Sequence, residues 1–342
     1  MKTEYKLSII VPAYNAEKII GDCLTKIIQE TKNIVSEIIV VDDCSTDNTL
    51  RILSKFNEIK VVSLKKNMGV GYARNQGALE AQYQMLCFID SDIIIENNSI
   101  YNLLERFYKS TDVGSVSGTQ TLNNLNRESW TSNFVCLKSC YGTDTIQKEI
   151  DFSTICSEFC LISRDIFDKV GKWKSVSRAG GEEFDFGFKI KKLNKKNIKL
   201  KNAGYSGYWC NIFQRSKNII ERTEKYIPIF FKKKKFDSKG SFATGGQVFS
   251  SLLTLLIILT LLFNLFFKVP FFSIILVVLI ILQFIVEGKF LIFAFNKHNI
   301  KMLLFSLLGI QIINLSIFFG FFLFIFKNSV GLPFKNKSKT KT

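Results

Sequence analysis

The first 90 residues alternate between short apolar runs and amphipathic segments. Val, Ile and Leu dominate four short runs that the pattern predicts as strands: 6–11, 37–41, 60–64 and 85–89. Helices are predicted between those runs: apolar residues recur at helical spacing over 17–31, Ser45 or Thr46 can cap a helix that runs to about Phe56, and a third helix is predicted over 71–81. Because strand and helix alternate, the pattern predicts an α/β fold with a mostly parallel sheet and helices on both of its faces.

The C-terminal third has a different pattern, with Leu, Ile, Phe and Val in three long runs. These runs are 248–267, 271–286 with a possible extension to 295, and 302–326. A helix needs about 20 apolar residues to cross a bilayer. The second run reaches that length only if Glu287 and Lys289 lie near an interface. We therefore expect a transmembrane module of about three helices over 246–327.

The net charge of +17 is concentrated around this module. Four lysines at 232–235 precede the first apolar run, and basic residues next to a span favour the cytoplasmic side. No signal peptide is visible before the first strand, so the N-terminal domain is expected in the cytoplasm. Three spans would place the basic tail, 328–342, outside the cell, whereas one re-entrant run would keep it inside. The charge indicates contact with membrane lipid and no nucleic-acid partner.

The segment between the N-terminal α/β part and the apolar C-terminal part has the periodicity of an amphipathic helix. Over 215–236 the apolar residues fall on one side of a helix, and the lysine run closes that segment. Such a helix lies in a membrane interface, although a helix that packs against a following span shows the same pattern. The predicted organisation is a domain at 1–214, this helix and linker at 215–240, the apolar module and the tail.

Two carboxylates, Asp90 and Asp92, follow the fourth predicted strand. Residues two apart on an extended chain point to the same side, so their charges repel unless a cation lies between them. Mg²⁺ and Mn²⁺ bind one or two carboxylates together with substrate phosphates. The alternative is a solvated turn, where Asp is common.

Polar clusters follow all four predicted strands, at 12–15, 42–43, 67–74 and 90–92. In parallel sheets ligands bind beyond the carboxyl ends of the strands, where these clusters meet. Neither a phosphate-binding P-loop nor a dinucleotide-binding glycine motif follows the first strand. The convergence favours a metal-assisted site for a phosphate-bearing ligand.

Six motifs, in this order, resemble glycosyltransferase family 2. They are S-I-I-V-P-A-Y-N, V-V-D-D-C-S-T-D, N-M-G-V-G-Y-A-R-N-Q-G, F-I-D-S-D, S-E-F-C-L-I-S-R-D-I-F-D-K-V-G-K-W and a final motif that begins G-G-E-E-F-D. The resemblance covers nearly all of 7–200. It implies the GT-A fold, a Rossmann-like sheet that binds a nucleotide-diphosphate sugar, with Mg²⁺ or Mn²⁺ as cofactor.

The resemblance also implies roles for individual residues. Donor-binding residues would be Pro12, Ala13 and Tyr14 beside the base, Asp42 or Asp43 at the base or ribose, Arg74 at the base or diphosphate, and Asp90 at the ribose. Asp92 would bind the metal. These residues also have interpretations without a binding role. Pro12 and Tyr14 could simply end a strand, the aspartates could be turn residues, and Arg74 could be a solvated cation on a helix surface.

The acids of G-G-E-E-F-D are the expected catalytic group. The resemblance makes Glu183 the general base, where relatives carry Asp, with Glu182 as the alternative and Asp185 beside them. On the residues alone, the three acids would complement a helix N-terminus. A histidine that many relatives carry after the base is absent, and so is the Q-x-x-R-W motif of processive synthases. Long-chain processive synthesis is therefore not expected.

Three functions follow for comparison. The chain would be an inverting transferase that moves a sugar to a hydroxyl of a lipid-linked glycan at the cytoplasmic membrane face, in the synthesis of a cell-surface polysaccharide or glycoconjugate. Alternatively, it would transfer the sugar to a polyprenyl phosphate. A non-catalytic membrane scaffold is the third reading, which the retained carboxylates disfavour.

Overall fold

The computed structural model describes residues 5–126, 129–144, 146–174, 182–233 and 245–329. The chain divides into two compact units: Met1–Leu125 with Thr143–Tyr208, and Asn126–Gly142 with Trp209–Thr342. The lysines at 234–235 and residues 330–342 of the predicted basic tail lie outside the described residues. The side of the membrane on which these residues lie is therefore still a prediction.

The described elements begin and end as follows. The strands are β1 (Lys6–Ala13), β2 (Val35–Asp42), β3 (Ile59–Ser63), β4 (Met85–Ile89), β5 (Ile93–Ile95), β6 (Val113–Asn124), β7 (Glu149–Phe152), β8 (Phe159–Ser163) and β9 (Lys196–Gly207). The helices are α1 (Ile20–Thr31), α2 (Thr49–Leu53), α3 (Val70–Glu80), α4 (Ser99–Tyr108), α5 (Trp130–Asp144), α6 (Arg164–Val170), α7 (Glu182–Lys192), α8 (Ile212–Lys233), α9 (Gly245–Phe267), α10 (Pro270–Lys297) and α11 (Ile300–Ser329).

A nine-stranded sheet forms the centre of the first unit. Its order is β3-β2-β1-β4-β8-β6-β9-β5, and β7 pairs with β9. The pairs among β1 to β4 are parallel, whereas β8 runs antiparallel to β4. The α/β prediction is confirmed, and the carboxyl ends of β1, β2 and β4 lie at one edge of the sheet, as expected from the parallel pairing.

Alternating residues of β1 face opposite sides of the sheet. Ile9 and Val11 join one buried cluster with residues of α1, and Ile10 joins another with Phe88. The predicted cover on both faces is therefore confirmed. Helix α3 lies close to the sheet because it carries Gly77, where a Cβ would come within 2.3 Å of the Ile10 side chain.

The predicted second helix is wrong in length. A cap at Ser45 or Thr46 predicts a helix that runs to about Phe56, but α2 is only five residues long. The residues before α2 form a turn instead of helix. In this turn Asp47 accepts hydrogen bonds from the backbone amide and the hydroxyl of Thr49. Asp47 also accepts one from the Glu17 amide, so the turn is tied to the start of the α1 region instead of continuing a helix.

The second unit holds helices α8 to α11 and most of α5. The helices α9, α10 and α11 are long and apolar enough to cross a membrane, by length and composition. The amphipathic helix α8 begins at Ile212, three residues before the predicted start. Residues 234–236, the predicted end of that helix, lie outside the described part of the chain.

Polar side chains connect the apolar helices. Gln311 and Asn314 of α11 both form hydrogen bonds with Thr254 of α9. Glu287, which was expected near a membrane interface if α10 is to span, is buried within the second unit. It accepts hydrogen bonds from Ser250 at 2.6 Å and pairs with Lys138 at 2.6 Å. Its charge is compensated by protein groups, which allows an acid within a long apolar helix.

Candidate active site

A cleft of about 780 Å³ lies at the carboxyl ends of β1 and β4, within the first unit. Its size is that of a typical small-molecule site. Residues of the predicted clusters line it, including Pro12, Ala13, Tyr14, Asp43, Asp90 and Asp92. The structure therefore brings together residues that are up to 80 positions apart in the sequence.

The first wall of the cleft is the end of β1. Ala13 is buried and Tyr14 is half exposed, with 50% of its surface accessible. The following residue, Asn15, has a φ of 50° and is held by the turn after β2. Its side-chain oxygen accepts a hydrogen bond from the Thr46 amide at 2.8 Å. Tyr14 is thus placed on a fixed loop beside the cleft, where a stacking role stays a prediction.

Asp42 and Asp43 differ in what they contact. Asp42 is buried, and its carboxylate accepts a hydrogen bond from the Ser45 amide at 3.2 Å. Asp43 lines the cleft, yet its two oxygens accept hydrogen bonds from the Met68 and Gly69 amides, both at 2.7 Å. Gly69 has a φ of 88°, a conformation that favours glycine. Asp43 therefore fixes the loop that leads into α3, and its predicted contact with the donor is untested.

Arg74 contacts Asp90 from the side that faces away from the cleft. Only 1% of Arg74 is exposed, and its Nη2 is 2.6 Å from Asp90 Oδ1. Its guanidinium carbon is 5.2 Å from the centre of the Trp173 ring. Burial lowers the pKa of Arg74, but the Asp90 carboxylate and its hydrogen bond, together with the charge of Glu182, raise it overall. Asp90 lines the cleft, whereas Arg74 is not among the lining residues, so Arg74 holds the carboxylate in place from behind.

Glu158, which the sequence analysis missed, lies next to the Asp90–Asp92 pair. β8 runs antiparallel to β4, and the Asp90 amide donates to the Glu158 carbonyl at 2.8 Å. The Glu158 carboxylate accepts hydrogen bonds from the Tyr205 hydroxyl at 2.7 Å and from the Gln120 amide at 2.5 Å. In the sequence, Glu158 is recognisable only as an acid immediately before an apolar run. The pairing register of β4 and β8 is what places Glu158 beside Asp90.

The local electrostatics favour a cation. Desolvation by the cleft walls and then repulsion from Asp90 and Glu158 raise the pKa of Asp92 to about 7. Desolvation likewise raises the pKa of Asp90, although Arg74 opposes it. Three carboxylates and one guanidinium leave an excess of negative charge on hard oxygen atoms, which suits Mg²⁺ or Mn²⁺.

The fit to a metal is partial. Among the described residues, no group of three or more His, Cys, Asp or Glu side chains could by itself hold a metal ion. Asp92 and Asp90 could supply one or two ligands, and the remaining coordination would come from a substrate diphosphate and water. This is the usual way in which Mg²⁺ is held beside a phosphate-bearing substrate.

The predicted catalytic acids begin helix α7. Glu182 is buried and Glu183 is half-buried. Glu183 contributes to the raised pKa of Asp90, and Glu182 to that of Arg74, which shows that the acids lie near that ion pair. Asp185 differs, because it pairs with Lys174 and Lys189, each at 3.1 Å.

Two contacts fix the position of α7. Phe186 stacks on Trp173 with ring centres 4.1 Å apart, which joins α7 to the residue over Arg74. A Cβ at Gly187 would come within 2.6 Å of the Thr154 backbone. Helix α7 therefore packs against Thr154 at a distance that only a glycine allows. Residues 175–181, which include the two glycines of the motif, lie outside the described residues.

A family model matches the part of the chain that contains most of the cleft. The family model described as glycosyl transferase family 2 matches residues 8–171, which contain the cleft loops, Asp90, Asp92 and Glu158. Residues 8–171, which are just under half of the chain, form a region that is similar to glycosyltransferase family 2. The α7 acids follow the matched region.

Curated relatives match about half of this chain. The poly-β-1,6-N-acetyl-D-glucosamine synthase of Staphylococcus epidermidis is 26% identical over 177 residues, 49% of this chain and 42% of the relative. The corresponding synthase of Staphylococcus aureus strain COL is 27% identical over 174 residues, with the same shares. The chain thus matches less than half the length of these relatives.

A solved structure extends the likeness in fold to most of the chain. The mannosyltransferase PcManGT of Pyrobaculum calidifontis, in complex with GDP-Man and Mn²⁺, matches 95% of this chain and 88% of its own. The TM-score is 0.55 and the identity 15%. The match supports the GT-A fold of this chain.

Proposed function

We propose that this chain is an inverting glycosyltransferase. It moves a sugar from a nucleotide-diphosphate sugar to a hydroxyl of a lipid-linked glycan at the cytoplasmic face of the membrane, in the synthesis of a cell-surface polysaccharide or glycoconjugate. The observation that carries the proposal is the Arg74–Asp90 ion pair with Asp92 beside it in a cleft at the carboxyl ends of β1 and β4. Ligands of α/β sheets bind at this edge.

The donor site is the cleft between the β1 end and Asp92. Tyr14 would lie against the base, and Asp90 would accept a hydrogen bond from the ribose while Arg74 holds its orientation. A divalent cation bound by Asp92 would neutralise the charge on the leaving nucleoside diphosphate. A relative in fold is described in complex with GDP-Man and Mn²⁺, which supports this donor class and cofactor.

Transfer requires a base on the acceptor side of the sugar. The acceptor hydroxyl oxygen attacks the anomeric carbon, the bond from that carbon to the diphosphate breaks, and the hydroxyl proton passes to Glu183. A single displacement of this kind inverts the anomeric configuration. Glu183 is assigned this role because the family resemblance places the base at this position, in the first turn of α7, and its charge contributes to the raised pKa of Asp90.

The acceptor is assigned from the second unit. Its three apolar helices and the amphipathic helix α8 are suited to a membrane, where a lipid-linked acceptor would be found. The four lysines at 232–235 favour the cytoplasmic side for the catalytic domain. If the acceptor were a polyprenyl phosphate, it would already be ionised and would need no base.

Donor binding is tested with the full chain in detergent. We expect its melting temperature to rise with one of the UDP-, GDP- or dTDP-sugars when Mn²⁺ or Mg²⁺ is present, and not with the sugar nucleotide alone. In Asp92→Asn the metal-dependent rise should be lost. If no sugar nucleotide raises the melting temperature with either metal, the chain is not a transferase and the membrane-scaffold reading returns.

A further inference from the structure

A cavity of about 330 Å³ lies within the second unit, between helix α8 and the apolar helices α9 and α11. It is distinct from the donor cleft, since the two share no lining residue. Its aromatic walls include Tyr226, Phe230 and Phe318, and its α9 wall includes Val248 and Ser251.

The chemistry of the walls restricts the occupant. The lining is almost wholly apolar, so a sugar, a nucleotide or a phosphate would lose hydrogen bonds to water without replacing them. A hydrocarbon chain loses none and gains from burial, about 0.8 kcal/mol for each methylene group removed from water. Two of the three helices that form the walls, α9 and α11, are candidate membrane spans, so lipid chains are the available hydrocarbon.

The sequence that continues from the α8 wall restricts the head of that lipid. Residues 221–235 contain six basic and two acidic residues; four of the basic ones, at 232–235, follow Phe231 of the lining in the sequence, and their side chains are outside the described part of the structure. On α11, Lys327 pairs with Glu224 of α8 at 2.6 Å, which offsets one of the two acids. The excess of positive charge complements a phosphate head group.

We propose that this cavity binds the polyprenyl chain of the phosphate-bearing lipid that carries the acceptor. The inference rests on the proposed function, because that function supplies a lipid-linked acceptor. The cavity selects for chain length: a long chain fills it, whereas a short analogue presents the same phosphate and acceptor group without reaching it. Ordinary membrane phospholipid is the competing occupant.

Direct binding is tested first, without catalysis. A long-chain polyprenyl phosphate with a photoactivatable group in its chain is cross-linked to the full protein in detergent, and the labelled peptides are identified by mass spectrometry. We expect labels on the cavity walls of α8, α9 or α11, removed by excess unlabelled polyprenyl phosphate and not by equal phosphatidylglycerol. Equal competition by phosphatidylglycerol, or labels confined to other surfaces, would overturn the proposal.

Chain-length selection is tested with variants that fill the cavity. Val248→Trp on α9 and Ile317→Trp on α11 each place a large ring in the lining, and Leu256→Trp on α9 is the control because Leu256 is exposed and outside the lining. We expect the filled variants to raise the KM for a long-chain acceptor about tenfold, the equivalent of about two unburied methylenes. Their KM for a ten-carbon acceptor should stay within about twofold, by the same scale.

The outcomes separate the two proposals. A metal-dependent rise in melting temperature with the sugar nucleotide reports the donor site whether or not the cavity is filled. If that rise is present but long and short acceptors are affected equally by both filled variants, the cavity assignment is wrong and the transferase assignment stands. If the donor response is absent in the unaltered chain, the proposed function fails, and the cross-linking result then decides alone whether the cavity binds polyprenyl chains.

Discussion

Arg74 and Asp90 form an ion pair beside the cleft at the carboxyl ends of β1 and β4, with Arg74 Nη2 2.6 Å from Asp90 Oδ1. The Arg74 side chain is 2% exposed and the Asp90 side chain 20%. The Nε and Nη1 atoms of Arg74 have no hydrogen-bond partner among the described residues, so Asp90 is the principal compensation of its charge. The two residues therefore depend on each other.

Removal of Arg74 should destabilise the first unit. In Arg74→Met a largely buried carboxylate loses its partner, and breaking such a pair costs about 3–5 kcal/mol. We expect a lower melting temperature in Arg74→Met and partial recovery in the double variant Arg74→Met/Asp90→Asn, which removes the unpaired charge. Equal melting temperatures in the single and double variants would contradict this coupling.

Glu158 should strengthen metal binding. Glu158→Gln keeps a side chain that can bond Tyr205 and Gln120 but removes one negative charge near Asp92. We expect the affinity for Mn²⁺, titrated by electron paramagnetic resonance without donor, to fall about tenfold, as expected for a charge acting through the protein interior.

Tyr205→Phe provides the matched control for that change. It removes the 2.7 Å hydrogen bond to Glu158 and leaves the carboxylate charged. Its Mn²⁺ affinity should remain within about twofold of the unaltered chain if charge is the decisive property. An unchanged affinity in Glu158→Gln would show that the third carboxylate has no part in the site.

Glu183 should be required for transfer to a hydroxyl. Loss of a general base lowers turnover by about 10²–10⁴. Glu183→Gln is expected to show that loss while it keeps the metal-dependent donor response in thermal shift. Glu80→Gln, in an exposed pair with Lys60 at the end of α3, is the charge-matched control and should turn over normally.

The same assay distinguishes the alternatives. If Glu182→Gln abolishes transfer and Glu183→Gln does not, the base is Glu182. If both variants turn over normally, an acceptor that is already ionised, such as a polyprenyl phosphate, is favoured.

The Arg106–Glu149 pair between α4 and β7 gives a pH-dependent contribution to stability. The hydrogen bond from Arg106 to Glu149 holds the pKa of Glu149 below its usual value. A lowered folded-state pKa adds stability above the unfolded pKa, about 4.3, which is lost as pH falls through the folded pKa. Glu149→Gln should therefore lower stability at pH 7 by about 0.5–1 kcal/mol.

The difference should disappear in acid. Melting temperatures of Glu149→Gln and the unaltered chain, measured from pH 7 to about pH 3, should converge as Glu149 becomes protonated. Asp165→Asn, which breaks an exposed pair with Lys169, should show no such difference at any pH. A constant difference between Glu149→Gln and the unaltered chain would show that packing, not charge, carries the effect.

Much of this protein follows from local sequence, because local sequence is where periodicity and strand ends are recorded. The alternation of apolar strands and helices determined the α/β class, and the long apolar runs determined three helices that could span a membrane. Since parallel strands bring their carboxyl ends together, the cleft residues Tyr14, Asp43, Asp90 and Asp92 could also be predicted as one group.

Tertiary structure alone decided which of those residues face the cleft and which support it. Arg74 reads as a surface helix cation or a donor ligand, but the close packing of α3 on the sheet at Gly77 accompanies its burial behind Asp90. Glu158 becomes a neighbour of Asp92 only through the antiparallel register of β4 and β8. Pairing between distant strands and burial between distant helices leave no periodic signal in the chain, which is why the sequence located this site and the fold had to assign its parts.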